Sequence, residues 1–249
     1  MKAIILAAGR GERLGAAAGG RPKCLLRYGG KTLLQRHIEI LDGLGVARIF
    51  VVTGYGREQI FETLHDLDSQ TPVATLTNLK FEQGSVVSLF QACHILGDGT
   101  DTILMDADVL YDPAILGRLC STRVGNCLLL DRDFEPGDEP VKICVSGATP
   151  VEFRKLPDPA IGWDYQGESV GFFRFDADMS ERLRQKTREY IEQDRVYEPY
   201  EEVIRDLLRE TPELFHIEDV TGLDWIEIDF PEDVARALEL FNNAGGRWR

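Results

Sequence analysis

The sequence has few cysteines, and none stands in a pattern typical of a metal site or a disulfide framework. The five cysteines lie far apart, without a C-x-x-C pair and without a histidine at metal-ligand spacing. We therefore expect reduced, mostly buried thiols at Cys24, Cys93, Cys120, Cys127 and Cys144. The sequence also lacks a signal-peptide pattern after Met1 and any apolar run near the ~20 residues of a membrane span. The predicted location is cytoplasmic, with no membrane partner.

Basic charge is scarce as well, because the formal net charge is −14. Nucleic acid or an anionic membrane would require a net basic surface, so neither is an expected partner. Residues 1–31 are the exception, with seven basic and one acidic side chain against 21 basic and 41 acidic ones in the remainder. This basic N-terminal segment predicts a site that attracts a small anion.

Apolar patterning predicts an α/β fold. Apolar runs at 3–8 and 48–53 flank an amphipathic helix at 32–44, which is a βαβ unit of a parallel sheet. The first half continues with helices at 57–67 and 85–96 and strands at 74–77 and 102–105. Strands separated by turns at 127–130, 141–145, 152–155 and 169–175 predict mixed or antiparallel pairing in the second half. Helices at 181–193, 200–210 and 231–241 and a strand at 225–228 complete the prediction.

A glycine-rich segment, residues 6–15 (LAAGRGERLG), follows the first predicted strand. It is not a dinucleotide fingerprint, because G-x-G-x-x-G would need glycine in place of Leu14 and no acidic residue ends the second strand. It is not a Walker A loop, because no G-K-[ST] follows. The backbone N–H groups of such a loop can approach an anion closely, with Arg13 and Lys23 as charge partners.

This segment resembles a known signature. Arg13 and the pair Pro22-Lys23, with the residues before them, are similar to L-A-A-G-x-G-x-R…P-K of the sugar-phosphate nucleotidylyltransferase superfamily. The resemblance implies that Arg13 binds the triphosphate and that Lys23 contacts phosphate oxygens. It implies that base and ribose lie on the backbone of Leu6, Ala7, Ala8, Gly9, Arg10 and Gly11. An ordinary βα turn with solvated arginines is the alternative.

The implied fold is a Rossmann-like three-layer α/β nucleotidyltransferase fold with a mixed, mainly parallel central sheet and an acceptor-side antiparallel subregion. One domain spans residues 1–249. Its nucleotide-binding half is 1–112, its acceptor-binding half is 113–241, and 242–249 is expected to be a frayed tail.

Two aspartates far apart in the chain are the implied ligands of Mg²⁺. Asp106 and Asp108 end a strand at i and i+2 and point the same way, and Asp108 aligns with the family's magnesium-binding aspartate. Asp106 is assigned to the nucleotide side. Segment 226–233 (IEIDFPED) resembles the family's I-D-x-P-E-D, so Asp229 is the second expected ligand. The alternative is that Asp229 and Asp233 only cap the following helix.

Shorter motifs resemble the base and acceptor sites. Gln83, Gly84 and Ser85 are similar to the family's Q-G-[TS], which contacts the base edge; a simple N-cap is the alternative. Two further segments resemble the family's acceptor side. One is similar to its E-x-x-G motif with a preceding lysine, and the other to an aromatic, acidic segment found in bacterial cytidylyltransferases. Those positions are Lys155, Glu168, Gly171, Tyr197 and Glu198. For an ammonium-bearing acceptor, aromatic side chains offer either a cation–π cage or ordinary packing: Trp163, Tyr165, Tyr197, Tyr200 and Trp225.

The resemblance therefore implies a magnesium-dependent nucleotidylyltransferase that uses a nucleoside triphosphate, with CTP favoured. The expected acceptor is a small phosphorylated alcohol or phosphonate, such as phosphocholine or 2-aminoethylphosphonate. A sugar 1-phosphate nucleotidylyltransferase is the open alternative. A homodimer is left open as the assembly. No role is assigned to His37, His65, His94 or His216.

Overall fold

The computed structural model describes residues 1–245 and Trp248, and its centre is a nine-stranded sheet. The strands among the described residues are β1 (Lys2–Ala7), β2 (Arg27–Tyr28), β3 (Lys31–Thr32), β4 (Ile49–Thr53), β5 (Val73–Thr77), β6 (Thr102–Asp106), β7 (Val109–Tyr111), β8 (Cys127–Asp131), β9 (Lys142–Ser146), β10 (Thr149–Arg154), β11 (Tyr165–Phe175), β12 (His216–Asp219) and β13 (Trp225–Glu227). The helices are α1 (Leu33–Gly43), α2 (Arg57–His65), α3 (Ser85–Gln91), α4 (Cys93–Leu96), α5 (Pro113–Ser121), α6 (Ala177–Glu192), α7 (Tyr200–Glu210) and α8 (Pro231–Asn243).

The sheet is parallel in its first half and largely antiparallel in its second. Its order is β10-β9-β11-β6-β1-β4-β5, with β8 beside β11 and β12 beside β8. Strands β6, β1, β4 and β5 pair parallel, whereas β11 is antiparallel to β6, β8 and β9. The predicted fold class is confirmed.

Alternating side chains of the central strands build two cores, one on each face of the sheet. Ile4 of β1 packs in a cluster with residues of α3, α6 and α7. Its neighbour Ile5 packs in a second cluster with residues of α1, α2 and α5. Both side chains are fully buried, and burial of such a side chain contributes about 1.5–3 kcal/mol. The result is a sheet between two helical layers.

Strand β11 joins the two halves through an irregularity. Its pairing with β8 shifts register between Ser169 and Phe173, around Gly171 at φ 78°. A Cβ at Gly171 would lie 2.4 Å from Oδ2 of Asp106. Only glycine satisfies both the left-handed backbone and this close approach.

A separate two-stranded ribbon links distant parts of the chain. Strand β7 pairs antiparallel with β13, and the Ile228 amide donates to the Asp108 carbonyl at 3.0 Å. Asp108 directly precedes β7, and Asp229 lies two residues after β13. The ribbon therefore brings together carboxylates separated by more than a hundred residues.

Several elements differ from the sequence-based prediction. β7, α5 and β12 were not predicted, and the helix predicted at 85–96 is two short helices with a break at Ala92. α6 begins at Ala177 rather than at 181, because the Asp176 side chain caps it by accepting from the Met179 amide at 2.8 Å. β11 begins at Tyr165, four residues before its predicted start.

The structure describes part of the segment 242–249 that was predicted to be a tail. α8 continues to Asn243, and both Ala244 and Trp248 are buried. The rest of that tail, Gly246, Arg247 and Arg249, lies outside the described residues.

The cysteines are free, and all but Cys120 are buried. No described helix has both the length and the apolar character needed to cross a bilayer.

Candidate active site

Three carboxylates meet at the ribbon. One oxygen each of Asp108, Glu227 and Asp229 lies within 4.8 Å of the other two. Asp233 holds the turn that carries Asp229, because its Oδ2 accepts from the Asp229 amide at 3.1 Å and from the Phe230 amide at 2.8 Å. The group offers only carboxylate oxygens, the donors that suit Mg²⁺ rather than Zn²⁺.

Two basic side chains of the N-terminal segment contact this cluster. Lys23 Nζ donates to Asp108 Oδ2 at 2.9 Å and also to Asp229, while Arg13 Nη2 donates to the other oxygen of Asp229. Burial lowers the pKa of Lys23, but attraction to Asp108 and Asp229 outweighs it and the net pKa is raised. Lys23 is therefore an ammonium ion in the structure.

The glycine-rich loop lies against Lys23. A Cβ at Gly11, where φ is 61°, would lie 2.8 Å from Cγ of Lys23, so this glycine makes room for the lysine side chain. Leu6, Ala7, Gly9 and Gly11 line a cavity whose other wall includes Lys23 and Asp108. The predicted nucleotide loop and one predicted metal ligand, Asp108, thus line the same cavity.

Arg10 does not line that cavity, and its side chain pairs with acidic surface residues. Its Nη1 donates to Glu82 at 3.0 Å, and its Nε lies 3.3 Å from Glu12. These side chains are exposed, and exposed ion pairs contribute at most about 1 kcal/mol.

The Gln83-Gly84-Ser85 segment is held by the chain before α7. A Cβ at Gly84 would lie 2.2 Å from the Glu198 carbonyl oxygen, so this glycine allows close contact between two backbones. Ser85 does not cap α3, because its hydroxyl accepts from the Tyr200 amide at 2.9 Å; the N-cap alternative is wrong. Gln83 Oε1 is buried and has no hydrogen-bond partner among the described residues.

Asp106 is engaged by the start of α7. The Tyr200 hydroxyl donates to Asp106 Oδ2 at 2.8 Å. Burial and repulsion from Glu201 and Asp108 raise the pKa of Asp106 well above its usual range. Burial also raises the pKa of Glu201 to about 7. Asp106 therefore lies close to other carboxyl groups and is hydrogen-bonded to Tyr200. It is not one of the three converging carboxylates.

One predicted acceptor residue, Lys155, is linked to Arg13 through a shared carboxylate. Glu139 Oε2 accepts from Lys155 Nζ at 3.0 Å and from Arg13 Nη1 at 2.7 Å. Lys155 also lines a cavity between the end of β10 and the start of α7, where Leu156, Pro199 and Glu201 form part of the wall. The volume of this cavity is about 380 Å³.

The other predicted acceptor residues lie elsewhere. Glu168 pairs in the sheet with Asp131 and Lys142, Tyr197 is 76% exposed, and Glu198 contacts Arg195 at 3.4 Å. No described hydrogen bond or ion pair joins their side chains to Lys155.

The aromatic side chains considered for a cage do not form one in the described structure. Tyr200 is buried against Asp106, and the Trp225 indole donates to Asp131 at 2.7 Å. Tyr165 stacks under the guanidinium of Arg132. These contacts favour the packing alternative.

Residues 3–157 match the family model described as the MobA-like NTP transferase domain. The chain belongs to this family. The resemblance inferred from the glycine-rich signature is thereby confirmed.

Two known proteins are similar to this chain over most of its length. The CMP-5'-(3-aminopropyl)phosphonate synthase of Streptomyces rubellomurinus is 25% identical, over 95% of this chain and 38% of that protein. The bifunctional IPC transferase and DIPP synthase of Rubrobacter xylanophilus is 28% identical, over 96% of this chain and 51% of that protein. The chain thus spans about half the length, or less, of these relatives.

A solved structure shares the fold. The inositol-1-phosphate CTP transferase from T. maritima superposes with a TM-score of 0.78, covering 98% of this chain and 96% of that one at 22% identity. The fold of this NTP transferase domain is therefore the one implied by its sequence signature.

Two charged residues of the site were missed in the sequence. Glu227 precedes Asp229 by two positions in the segment IEID, and alternation along a strand was the signal that could have placed both on one side. Glu139 lies in the loop before β9, where no sequence pattern indicates that it connects Arg13 and Lys155.

The free energy of unfolding of this NTP transferase domain is expected to fall as the pH rises, because Glu168 ionises. Burial and the Asp131 carboxylate raise the pKa of Glu168 from its usual 4.5 to about 7. The folded state therefore binds the proton more tightly than the unfolded state, and stability falls between these two pH values. We expect Glu168→Gln to raise the free energy of unfolding by about 1–2 kcal/mol at pH 8, and by much less at pH 5.

Urea unfolding at the two pH values in a chelator-containing buffer measures this difference. Glu192→Gln, at an exposed position on α6, is the matched control and should change neither value. An equal gain at both pH values would contradict the raised pKa.

Proposed function

We propose that the chain transfers CMP from CTP to a small phosphorylated alcohol or phosphonate and releases pyrophosphate. The observation that carries this proposal is the convergence of Asp108 and Asp229 beside Lys23 and Arg13 at the glycine-rich loop. The similarity to a CMP-phosphonate synthase and to a CTP transferase supports cytidine as the nucleoside.

Asp108 and Asp229 are proposed to hold Mg²⁺, with Glu227 as a third oxygen donor nearby. The donor set fits this ion, because all three offer hard oxygen atoms within 4.8 Å of one another. Asp108 and Asp229 already share one cation, the Lys23 ammonium. Bound there, Mg²⁺ would add positive charge that stabilises phosphate oxygens.

The nucleotide is proposed to lie on the glycine-rich loop. The backbone from Leu6 to Gly11 would hold base and ribose, and the side-chain amide of Gln83 would contact the base edge. Arg13 and Lys23 would exchange carboxylate partners for phosphate oxygens, which accept the same charge-assisted hydrogen bonds. Asp106 and Ser85 would support this arrangement through their contacts with Tyr200 of α7, and Gly84 would do so through its contact with the chain before α7.

The chemistry requires positioning and charge neutralisation. A phosphate or phosphonate oxygen of the acceptor is already anionic near neutral pH and attacks the α-phosphorus without a protein base. The bond from the α-phosphorus to its bridging oxygen breaks, and pyrophosphate leaves with that electron pair. Two unit charges 4 Å apart repel by about 4 kcal/mol at an effective dielectric of 20, so Arg13, Lys23 and Lys155 lower this repulsion.

We expect Lys155→Ala to raise the KM for the acceptor by about tenfold or more and to change the KM for CTP little. The reason is the loss of one charge-assisted hydrogen bond to the acceptor phosphate, which contributes about 1.5–3 kcal/mol. Initial rates with each substrate varied in turn measure both constants, and Lys155→Arg, which keeps the charge, is the matched variant. A change confined to the CTP KM would move Lys155 to the nucleotide site.

A pyrophosphate-release assay tests the proposed function. The four nucleoside triphosphates are crossed with phosphocholine, 2-aminoethylphosphonate, inositol 1-phosphate and several sugar 1-phosphates. Turnover is expected with CTP and an acceptor of the first three kinds. Turnover only with sugar phosphates would instead establish the alternative, an NDP-sugar-forming enzyme.

A further inference from the structure

A row of ion pairs connects the cavity at Lys155 with the cavity at the glycine-rich loop. Its side chains alternate in sign, in the order Lys155, Glu139, Arg13, Asp229, Lys23 and Asp108. Lys155 lines the first cavity, whereas Lys23 and Asp108 line the second. Two of the three carboxylates in the row belong to the converging group. The third, Glu139, has no role in the proposed function.

Glu139 pairs with two cations that the proposed function assigns to substrate phosphates. Its Oε2 accepts from Arg13 Nη1 at 2.7 Å and from Lys155 Nζ at 3.0 Å. Both nitrogens are therefore within hydrogen-bonding distance of a single oxygen position. A phosphate oxygen at this position would accept the same two charge-assisted hydrogen bonds.

The Glu139 side chain is ionised and only weakly held. The hydrogen bond from Lys155 and the attraction of its ammonium lower the pKa of Glu139. The side chains of Glu139, Arg13 and Lys155 are between 45% and 60% exposed. Ion pairs this exposed change an equilibrium by at most about fivefold. A phosphate group can therefore replace Glu139 as the partner of these cations.

Arg13 is held in place by contacts other than Glu139. Its Nη2 donates to Asp229, and its guanidinium lies 4.9 Å from the centre of the Phe230 ring. These contacts do not involve Nη1, the nitrogen that donates to Glu139. Arg13 therefore keeps its position, with one nitrogen available, when Glu139 moves away.

A buried cation fixes the backbone around Glu139. The ammonium of Lys142 donates to the Lys155 carbonyl at 2.6 Å. It also donates to the carbonyls of Gly137 at 2.7 Å and Pro140 at 3.2 Å, which lie on either side of Glu139 in the sequence. This loop is thus attached to the end of β10, and Glu139 can leave its partners by rotation of its side chain alone.

We propose that the Glu139 carboxylate occupies the position of the acceptor's phosphate group, which binds after Glu139 has rotated away from Arg13 and Lys155. Glu139 keeps the two cations paired in the free protein, and the incoming phosphate replaces it. A carboxylate left in place would repel the phosphate, because like charges at contact distance repel. The identity of the phosphate group rests on the proposed function, whereas the competition between Glu139 and an anion does not.

Titration of the full chain with inorganic phosphate in a chelator-containing buffer, followed by phosphorus NMR, tests the proposal without turnover. We expect Glu139→Gln to bind phosphate about two- to fivefold more tightly than the parent, because the competing charge is lost. Glu135→Gln is the matched control, since it removes the same charge from the same loop but Glu135 pairs with Arg236. Its phosphate affinity should equal that of the parent.

Lys155→Ala locates the bound phosphate. This change should weaken phosphate binding, and Glu139→Gln should give a smaller gain in that background, because the two side chains are in contact and their effects are coupled. Equal or weaker phosphate binding by Glu139→Gln would overturn the proposal. So would an equal gain in Glu135→Gln, or an undiminished gain in the Lys155→Ala background.

Pyrophosphate release by the same variants separates this proposal from the proposed function. With CTP and Mg²⁺, Glu139→Gln should lower the acceptor KM by a similar factor and leave kcat unchanged. A raised acceptor KM would overturn the proposal, because Glu139 would then position Lys155 for the acceptor. If the parent releases no pyrophosphate with any acceptor, the proposed function fails, and the phosphate titration still decides the role of Glu139.

Discussion

Replacing Asp108 by Asn is expected to lower kcat by about 10³-fold or more, with little loss of the fold. Asp108 is one of the three converging carboxylates and accepts from Lys23. Loss of a metal ligand removes several kcal/mol of charge stabilisation from the transition state, and each 1.36 kcal/mol corresponds to tenfold in rate. Pyrophosphate release at saturating CTP, acceptor and Mg²⁺ measures the effect.

Asp68→Asn is the matched control, because Asp68 is exposed in the loop after α2. It should retain the parent rate. If Asp108→Asn released pyrophosphate as fast as the parent, the proposed metal ligands would be wrong. Asp229→Asn should repeat the Asp108 result.

Removing the charge of Lys23 is expected to change catalysis and metal affinity in opposite directions. In Lys23→Met, kcat should fall by about 10²–10³-fold, the effect typical of losing one donor that stabilises transition-state charge. The same change removes the ammonium that pairs with Asp108 and Asp229, so the free protein should bind Mg²⁺ more tightly. Rates and Mg²⁺ titrations without nucleotide measure the two effects.

Lys186→Met on α6 serves as the control, because Lys186 pairs with Glu189 and Glu210 away from the site. Parallel losses of Mg²⁺ affinity and kcat in Lys23→Met would mean that Lys23 supports the carboxylates rather than competing for them.

The parallel half of the fold could be predicted from the sequence. The apolar runs at β1, β4 and β6 are short, continuous and rich in branched side chains, as expected for strands buried on both faces. β12 could not be identified in this way, because its sequence HIED is mostly polar and its pairing with β8 is non-local. The start of α5 could have been predicted, because Asp112 is an N-cap residue followed by Pro113 at the first helical position. The hydrophobic pattern alone did not indicate this helix.

For the candidate site, local motifs predicted single residues better than their partners. Lys23 and Asp229 were singled out separately, and the structure places them in contact. Their contact depends on the β7–β13 ribbon, which forms only when distant segments pair. The hydrogen bond from Tyr200 to Asp106 could not be predicted either. It depends on the position of α7, which is set by packing against the sheet.

The proposed function requires a triphosphate and a divalent cation to bind together. Arg13 and Lys23 would contact the triphosphate, and the carboxylates of Asp108 and Asp229 would hold the cation. A crystal structure with CTP and Mg²⁺ tests it most directly. We expect the ion on Asp108 and Asp229, the triphosphate on Arg13 and Lys23, and cytosine near Gln83. Density for CTP elsewhere, or a metal ion bound without either aspartate, would contradict the claim.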